Sequence, residues 1–210
     1  DERLQRRMAY STGTTLLTTV SSRTDMSAAI RVAAVLFVAV LTAVAAQVSV
    51  PLPFTPVPFT LQPMIVLVGG AALGARLGMA SQVIYLIAGI AGLPVFVASP
   101  VLPQGFLRLL GPTGGFLMAY PIAAFVAGWL AERGFDRRYL TSVIAMAAGL
   151  TIIFASGIAW FAFFASPSPV GLSRALQLAF YPFIGVDVLK VLLAATVLPS
   201  VWTMTDHMRR

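Results

Sequence analysis

The chain has no cysteine, a single histidine and a single lysine, and only 10% of its 210 residues are charged. Each shortage excludes a class of chemistry. Without cysteine there is no disulfide, no thiolate nucleophile and no cysteine metal site. His207 has no second histidine to share a metal and no serine partner within the membrane for a nucleophilic triad. The seven acidic residues offer no pair of intramembrane carboxylates for an aspartyl-type hydrolase. The glycine-rich turn GPTGG (Gly111–Gly115) is not followed by Gly-Lys-Ser/Thr, so it is no Walker A loop, and the chain does not energise pumping by its own ATP hydrolysis. No enzyme, cofactor or metal is implied.

Apolar residues dominate what remains. They make up 59% of the chain and the mean hydropathy is +0.91, whereas soluble domains carry about 25% charged residues. The class is an all-α polytopic membrane protein with one membrane domain. Six spans are expected, at about 30–47, 59–73, 78–93, 113–130, 140–164 and 180–202. The second and third are short for a straight crossing, which takes roughly 20 apolar residues. Pro63 and several glycines suit them to be tilted, broken or shielded by protein. Residues 1–27 are expected to form a mobile cytoplasmic tail, rich in Ser and Thr and compatible with a weak amphipathic helix. Residues 28–204 form the membrane domain and 205–210 a cytoplasmic C-terminal tail. DERLQRR (Asp1–Arg7) precedes Met8 and carries no functional weight.

The basic residues set the orientation. With six spans and both termini inside, eleven of the fourteen basic residues fall on the cytoplasmic side. Those are Arg3, Arg6, Arg7, Arg23, Arg31, Arg76, Arg133, Arg137, Arg138, Arg209 and Arg210. Arg108 and Arg174 lie outside, and Lys190 lies within the sixth span. This is the positive-inside asymmetry, and five or seven spans would break it. The net charge of +7 therefore reads as topology and contact with membrane lipids, not nucleic-acid binding.

The outer segment Val48–Pro63 has prolines at 51, 53, 56, 58 and 63 and no charge. Proline fixes φ, so a stiff extended lid is expected, with Phe54 and Phe59 able to cover an apolar ligand; a rigid linker without ligand contact is the plainer alternative. The second outer loop, 92–115, is long and largely apolar and is expected to fold back on the outer face.

Asp187 and Lys190 are the most informative pair. At i and i+3 they share one helix face. Their depths below Pro182 are about 7.5 and 12 Å at the helical rise, in the outer half of the bilayer. Intramembrane charges usually mark function, although a structural ion pair would also account for them. A compact ammonium suits a carboxylate ligand. GPTGG would free the N-terminus of the fourth span, with Thr113 and Gly114 near a polar ligand, or serve as a flexible, closely packed turn. Gln47, Thr60, Gln62, Tyr85 and Trp160 are the other polar or amphipathic groups near this expected outer cavity. On span one, Ala29-x-x-x-Ala33 and Ala39-x-x-x-Ala43 make small-residue strips for close helix packing.

Four separated segments resemble the BioY family: VSVPLPFTPVPFTLQ, GGAALGARLGMASQVIYLIAGIAGLPVF, LLGPTGGFLMAYPIAAFVAGWLAER and PFIGVDVLK. They occur in the family's order and cover most of the chain from span one onward. The resemblance implies the six-helix fold of substrate-capture (S) components of energy-coupling-factor (ECF) transporters, with both termini in the cytosol. It implies biotin capture from outside, in the plasma membrane, and docking onto a coupling subunit that carries two ATPases. It carries the family's span-six Asp and Lys onto Asp187 and Lys190, and its coupling strip onto Ala39 and Ala43. The glycine departs from the family pattern, standing at 185 instead of directly before the Asp. With the residues above, the implied biotin contacts are Lys190, Asp187, Tyr85, Gln47, Thr60, Phe59, Thr113, Gly114 and Trp160. Lys190 would bind the valerate carboxylate, or pair with Asp187 while other donors do so. A self-standing secondary carrier and a ligand-free scaffold subunit are the competing readings; the first lacks the internal repeat common among such carriers.

Overall fold

The computed structural model describes residues 15–16, 27–99 and 103–207. The expected N-terminal tail, with its amphipathic helix and Met8, lies almost wholly outside the described residues, as do residues 208–210. The elements in chain order are α1 (Ser27–Gln47), β1 (Ser49–Val50), β2 (Phe59–Thr60), α2 (Gln62–Leu73), α3 (Ala75–Ile90), α4 (Leu107–Leu110), α5 (Gly114–Ala131), α6 (Tyr139–Phe163), α7 (Leu172–Ala179) and α8 (Tyr181–His207).

Helices α1, α5, α6 and α8, of 21, 18, 25 and 27 residues, are long and apolar enough to cross a membrane. The 12 residues of α2 and 16 of α3 reach only about 18 and 24 Å, short of the roughly 30 Å apolar layer. Together they form a helical hairpin. Gly74, at φ 88°, reverses the chain between them. A Cβ built on Gly78 would lie 2.7 Å from the Gly70 Cα, so the two legs touch backbone to backbone. Val66, Leu67 and Ala71 of α2 are almost wholly buried, and the short hairpin is thus sheltered by the helices around it.

Helix α5 runs through the middle, packing along α6 and against α2 and α3; α1 lies on the hairpin, and α8 on α6 and α2. Large apolar side chains such as Val32, Phe37 and Val40 of α1, and Leu189 and Leu193 of α8, face outward. In water this would be a liability; in a bilayer it is the lipid face.

Four details differ from the sequence reading. The second span starts at Gln62, because Phe59 and Thr60 pair with Val50 and Ser49 in an antiparallel ribbon. The proline-rich segment is therefore a stiff hairpin closed by β1 and β2, and not an extended lid; Pro63 opens α2, where a missing N–H costs no helical bond. Two short helices on the outer connections, α4 and α7, were not anticipated. Helix α8 continues past Trp202 to His207, so that histidine belongs to its last turn.

At the other end of the bundle, Asp136 is buried between α5 and α6. Its Oδ2 accepts a 2.7 Å hydrogen bond from Trp202 Nε1 of α8. Burial raises the Asp136 pKa, against the opposing pull of the Trp202 bond and Arg137. The folded protein therefore keeps this carboxyl protonated to higher pH than the unfolded chain does, and stability falls as pH rises through that window. Asp136→Asn keeps an acceptor for Trp202 and removes the desolvated charge. It should leave the melting temperature at neutral pH unchanged or higher. Trp202→Phe strands the carboxyl and should cost roughly 1–3 kcal/mol, read in the same thermal melt.

Candidate functional site

The site forms where the β1–β2 hairpin meets the outer ends of the helices. Residues 182 and 183 begin the first turns of α8, and one and two turns further in come Asp187 and Lys190, only 6% and 7% exposed. Lys190 Nζ donates to Asp187 Oδ1 at 2.7 Å and to the Thr60 carbonyl of β2 at 2.6 Å. It also sits 3.6 Å from the centroid of the Phe59 ring, within the range of a cation–π contact. A carboxylate, a carbonyl and an aromatic face thus hold one ammonium, which pins the hairpin to α8.

Beside the pair lies a small cavity of about 60 Å³. Its wall is mostly apolar: Val57 and Pro58 from the hairpin, Phe96 and Val97 from the outer loop, Phe116 and Leu117 from α5, Ile153 and Phe154 from α6, Phe183 from α8. Tyr120 is buried in the same wall. The polar members are Thr60, Gln62, Arg108, Thr113, Asp187 and Lys190.

Arg108 changes the electrostatics. It belongs to α4, on the outer loop, and is 1% exposed. One terminal nitrogen, Nη2, donates to the Val97 carbonyl, while Nε has no partner. Burial pushes the guanidinium pKa down, opposed by Tyr85, yet arginine stays charged in proteins. Among the described residues no carboxylate meets it. Thr113 Oγ1 is likewise buried without a partner. Two unsatisfied groups in one cavity wall call for an acceptor from outside the chain, since unmade buried hydrogen bonds are costly.

The structure brings together Lys190, Asp187, Thr60 and Thr113 as cavity lining and Phe59 as the face under the ammonium. The others stand off it. Tyr85 is buried behind the wall, its hydroxyl accepting from Gln62 Nε2 at 2.7 Å, so it orients a lining residue. Gln47 is exposed and its Nε2 donates to the Phe96 carbonyl at 3.1 Å, tying α1 to the outer loop. Trp160 Nε1 donates to the Gly111 carbonyl at 3.0 Å and holds the GPTGG turn. Gly114 is a packing position, since a Cβ there would lie 1.7 Å from the Leu109 carbonyl oxygen. Phe54 is exposed at the hairpin tip. Ala39 is buried and Ala43 partly buried against the chain's own core, so the strip turned outward on α1 carries Ala29 and Ala33 instead. Gly185 faces open space, and its shift from the family position leaves α8 regular.

Sequence reasoning missed Arg108 and the aromatic residues of α5, α6 and α8 as lining. Arg108 carried a signal, being one of two basic residues on the outer side.

Fold and site define a multi-pass helical membrane protein with a buried, polar-headed receptor cavity at its outer end. The chain belongs to the BioY family: the family's model matches residues 9–207. The probable biotin transporter BioY of Pyrococcus horikoshii is 43% identical over 77% of this chain and 89% of its own length. The biotin transporter BioY of Thermotoga maritima is 37% identical over 73% of this chain and 85% of its own. A solved structure, the S-component for biotin from an ECF-type ABC transporter, shares the fold, with TM-score 0.75, 23% identity and coverage of 86% of this chain and 94% of that one.

Proposed function

We propose that this protein is the biotin-capturing subunit of an ECF transporter in the plasma membrane. It takes biotin from the outer side and delivers it to the cytoplasm with a coupling subunit and two ATPases. The observation that carries this reading is the division of polar groups around one apolar cavity. A neutralised ammonium–carboxylate pair stands on α8, and a guanidinium and a hydroxyl with unmade hydrogen bonds stand on α4 and at the start of α5. Biotin has a ureido ring with two N–H donors and a carbonyl, and an aliphatic chain ending in a carboxylate. The pairing of Lys190 with Asp187 supports the pose in which other donors take the carboxylate. In that pose Arg108 and Thr113 bind the valerate carboxylate, a geometry suited to a guanidinium, and Asp187 and the Gln62 amide face the ureido group. The apolar wall covers the sulfur ring and the chain.

A titration of the purified protein with biotin, desbiotin, thiamine and riboflavin tests the reading. Biotin should bind and raise the melting temperature by mass action, and the two unrelated vitamins should do neither; a protein that ignores biotin refutes it. Arg108→Gln keeps a donor and removes the charge. Hydrogen bonds to charged groups contribute about 1.5–3 kcal/mol, so biotin affinity should fall roughly 10- to 100-fold. An unchanged dissociation constant would remove Arg108 from the carboxylate site.

A further inference from the structure

A second cavity opens at the opposite end of the bundle, the end the arginine distribution places inside. Three arginines line it: Arg31 from the start of α1, Arg76 from the start of α3, and Arg133 just beyond α5. One carboxylate, Glu132, shares the wall, and it is engaged: its Oε1 accepts the Ala75 N–H at 2.8 Å, capping α3. Three arginines thus line one hollow that has, among the described residues, a single acid, already held by a helix terminus. Like charges drawn from three separate segments into one hollow repel each other, and an anion would offset that repulsion; Arg133 is partly held, its Nη1 donating to the Trp129 carbonyl at 2.8 Å. Leu73, Ala75, Leu77 and Phe125 supply apolar wall, and Thr15 is a further polar member among the described residues. Trp129 stands at the rim with the Arg133 guanidinium 3.4 Å over its ring.

We propose that this inner cavity binds the phosphate-bearing headgroup of an anionic glycerophospholipid from the inner leaflet. The guanidiniums take the phosphate, and Leu73, Leu77 and Phe125 take the glycerol and first methylenes. The apolar wall decides between a lipid and a free phosphate ion, which has no use for it. The position agrees, because basic pockets between spans on the cytoplasmic side suit anionic headgroups, and Trp129 is of the residue type enriched at membrane interfaces. The site is separate from the outer cavity, and its occupancy does not depend on what that cavity binds.

The test uses the full chain in lipid nanodiscs. Retained lipid is measured by native mass spectrometry after exposure to equal phosphatidylglycerol and phosphatidylcholine. The parent should retain phosphatidylglycerol preferentially. Arg31→Gln or Arg76→Gln should each reduce that preference about fivefold, and the double substitution roughly twentyfold or more. Both side chains are exposed, so the unliganded melting temperature should not move. Arg138→Gln makes the same charge change on the same face outside the cavity and should leave the preference intact. Three results would overturn the proposal: no preference in the parent, an equal loss with Arg138→Gln, which would mean a diffuse surface field, or equal thermal protection by inorganic phosphate in phosphatidylcholine nanodiscs, which would mean a free-ion site.

Discussion

Replacing Lys190 with alanine should reduce biotin affinity on the order of 100- to 1000-fold. The substitution does more than delete one donor. Lys190 neutralises Asp187, donates to the Thr60 carbonyl and rests on Phe59. Removing it leaves a carboxylate that is 6% exposed with no counter-charge, and breaking a buried pair by removing one partner costs about 3–5 kcal/mol. It also frees β2 from α8, so the hairpin wall of the cavity is no longer pinned. A second variant separates lost recognition from lost folding. Asp187→Asn with Lys190→Met removes both charges. It should recover thermal stability, as neutral replacements of buried pairs often do, and still fail to bind biotin. Isothermal titration reads the affinity and a thermal melt reads the fold. Wild-type affinity in Lys190→Ala would exclude the pair from recognition.

Gly128→Ala should cost the protein at least about 3 kcal/mol and leave little folded material, although it adds a single methyl group. The new Cβ would lie 2.4 Å from the Gly74 carbonyl carbon, 2.5 Å from the Ala75 nitrogen and 2.7 Å from the Gly70 oxygen. All three are backbone atoms of the α2–α3 reversal, so no rotamer change relieves the clash, and α5 would have to move off the hairpin. Overpacking commonly costs 1–3 kcal/mol where side chains can yield; here nothing flexible yields. Gly185→Ala is the matched control. It lies inside α8 with open space around it, and the helix preference of alanine should make it neutral or stabilising by up to about 1 kcal/mol. Size-exclusion profiles and melting curves of the two variants give the comparison.

These glycines show how far the sequence could be read. Both stand in apolar helical segments, and nothing in their neighbours along the chain distinguishes them. The difference is that α5 crosses the hairpin at Gly128 while α8 presents Gly185 outward, a fact about helices distant in sequence. The same reasoning explains the small-residue strips of α1. Helical spacing put Ala39 and Ala43 on one face, but which face meets the bundle depended on the position of α3. Asp187 and Lys190 were legible because an i, i+3 spacing places both on one face and because charge is scarce in apolar segments. Arg108 was visible as a charge and hidden as a site residue. Its segment reads as an outer loop, where an arginine is ordinarily solvated, and only the fold of α4 over the cavity buries it.

Composition, periodicity and the placement of arginines were enough to determine a helical membrane protein, the approximate places of its apolar helices and its orientation, and to single out the charged pair. Those properties are local or additive: transfer of side chains into lipid, the period of a helix, the sum of charges in short loops. The tertiary structure alone decided that the proline-rich segment closes as a ribbon onto Lys190, that Arg108 faces the cavity while Tyr85 stands behind it, and that three arginines converge on the inner face. Those properties arise from contacts between segments far apart in the chain, where a neighbour's backbone, and not the residue's own preference, sets where each side chain lies.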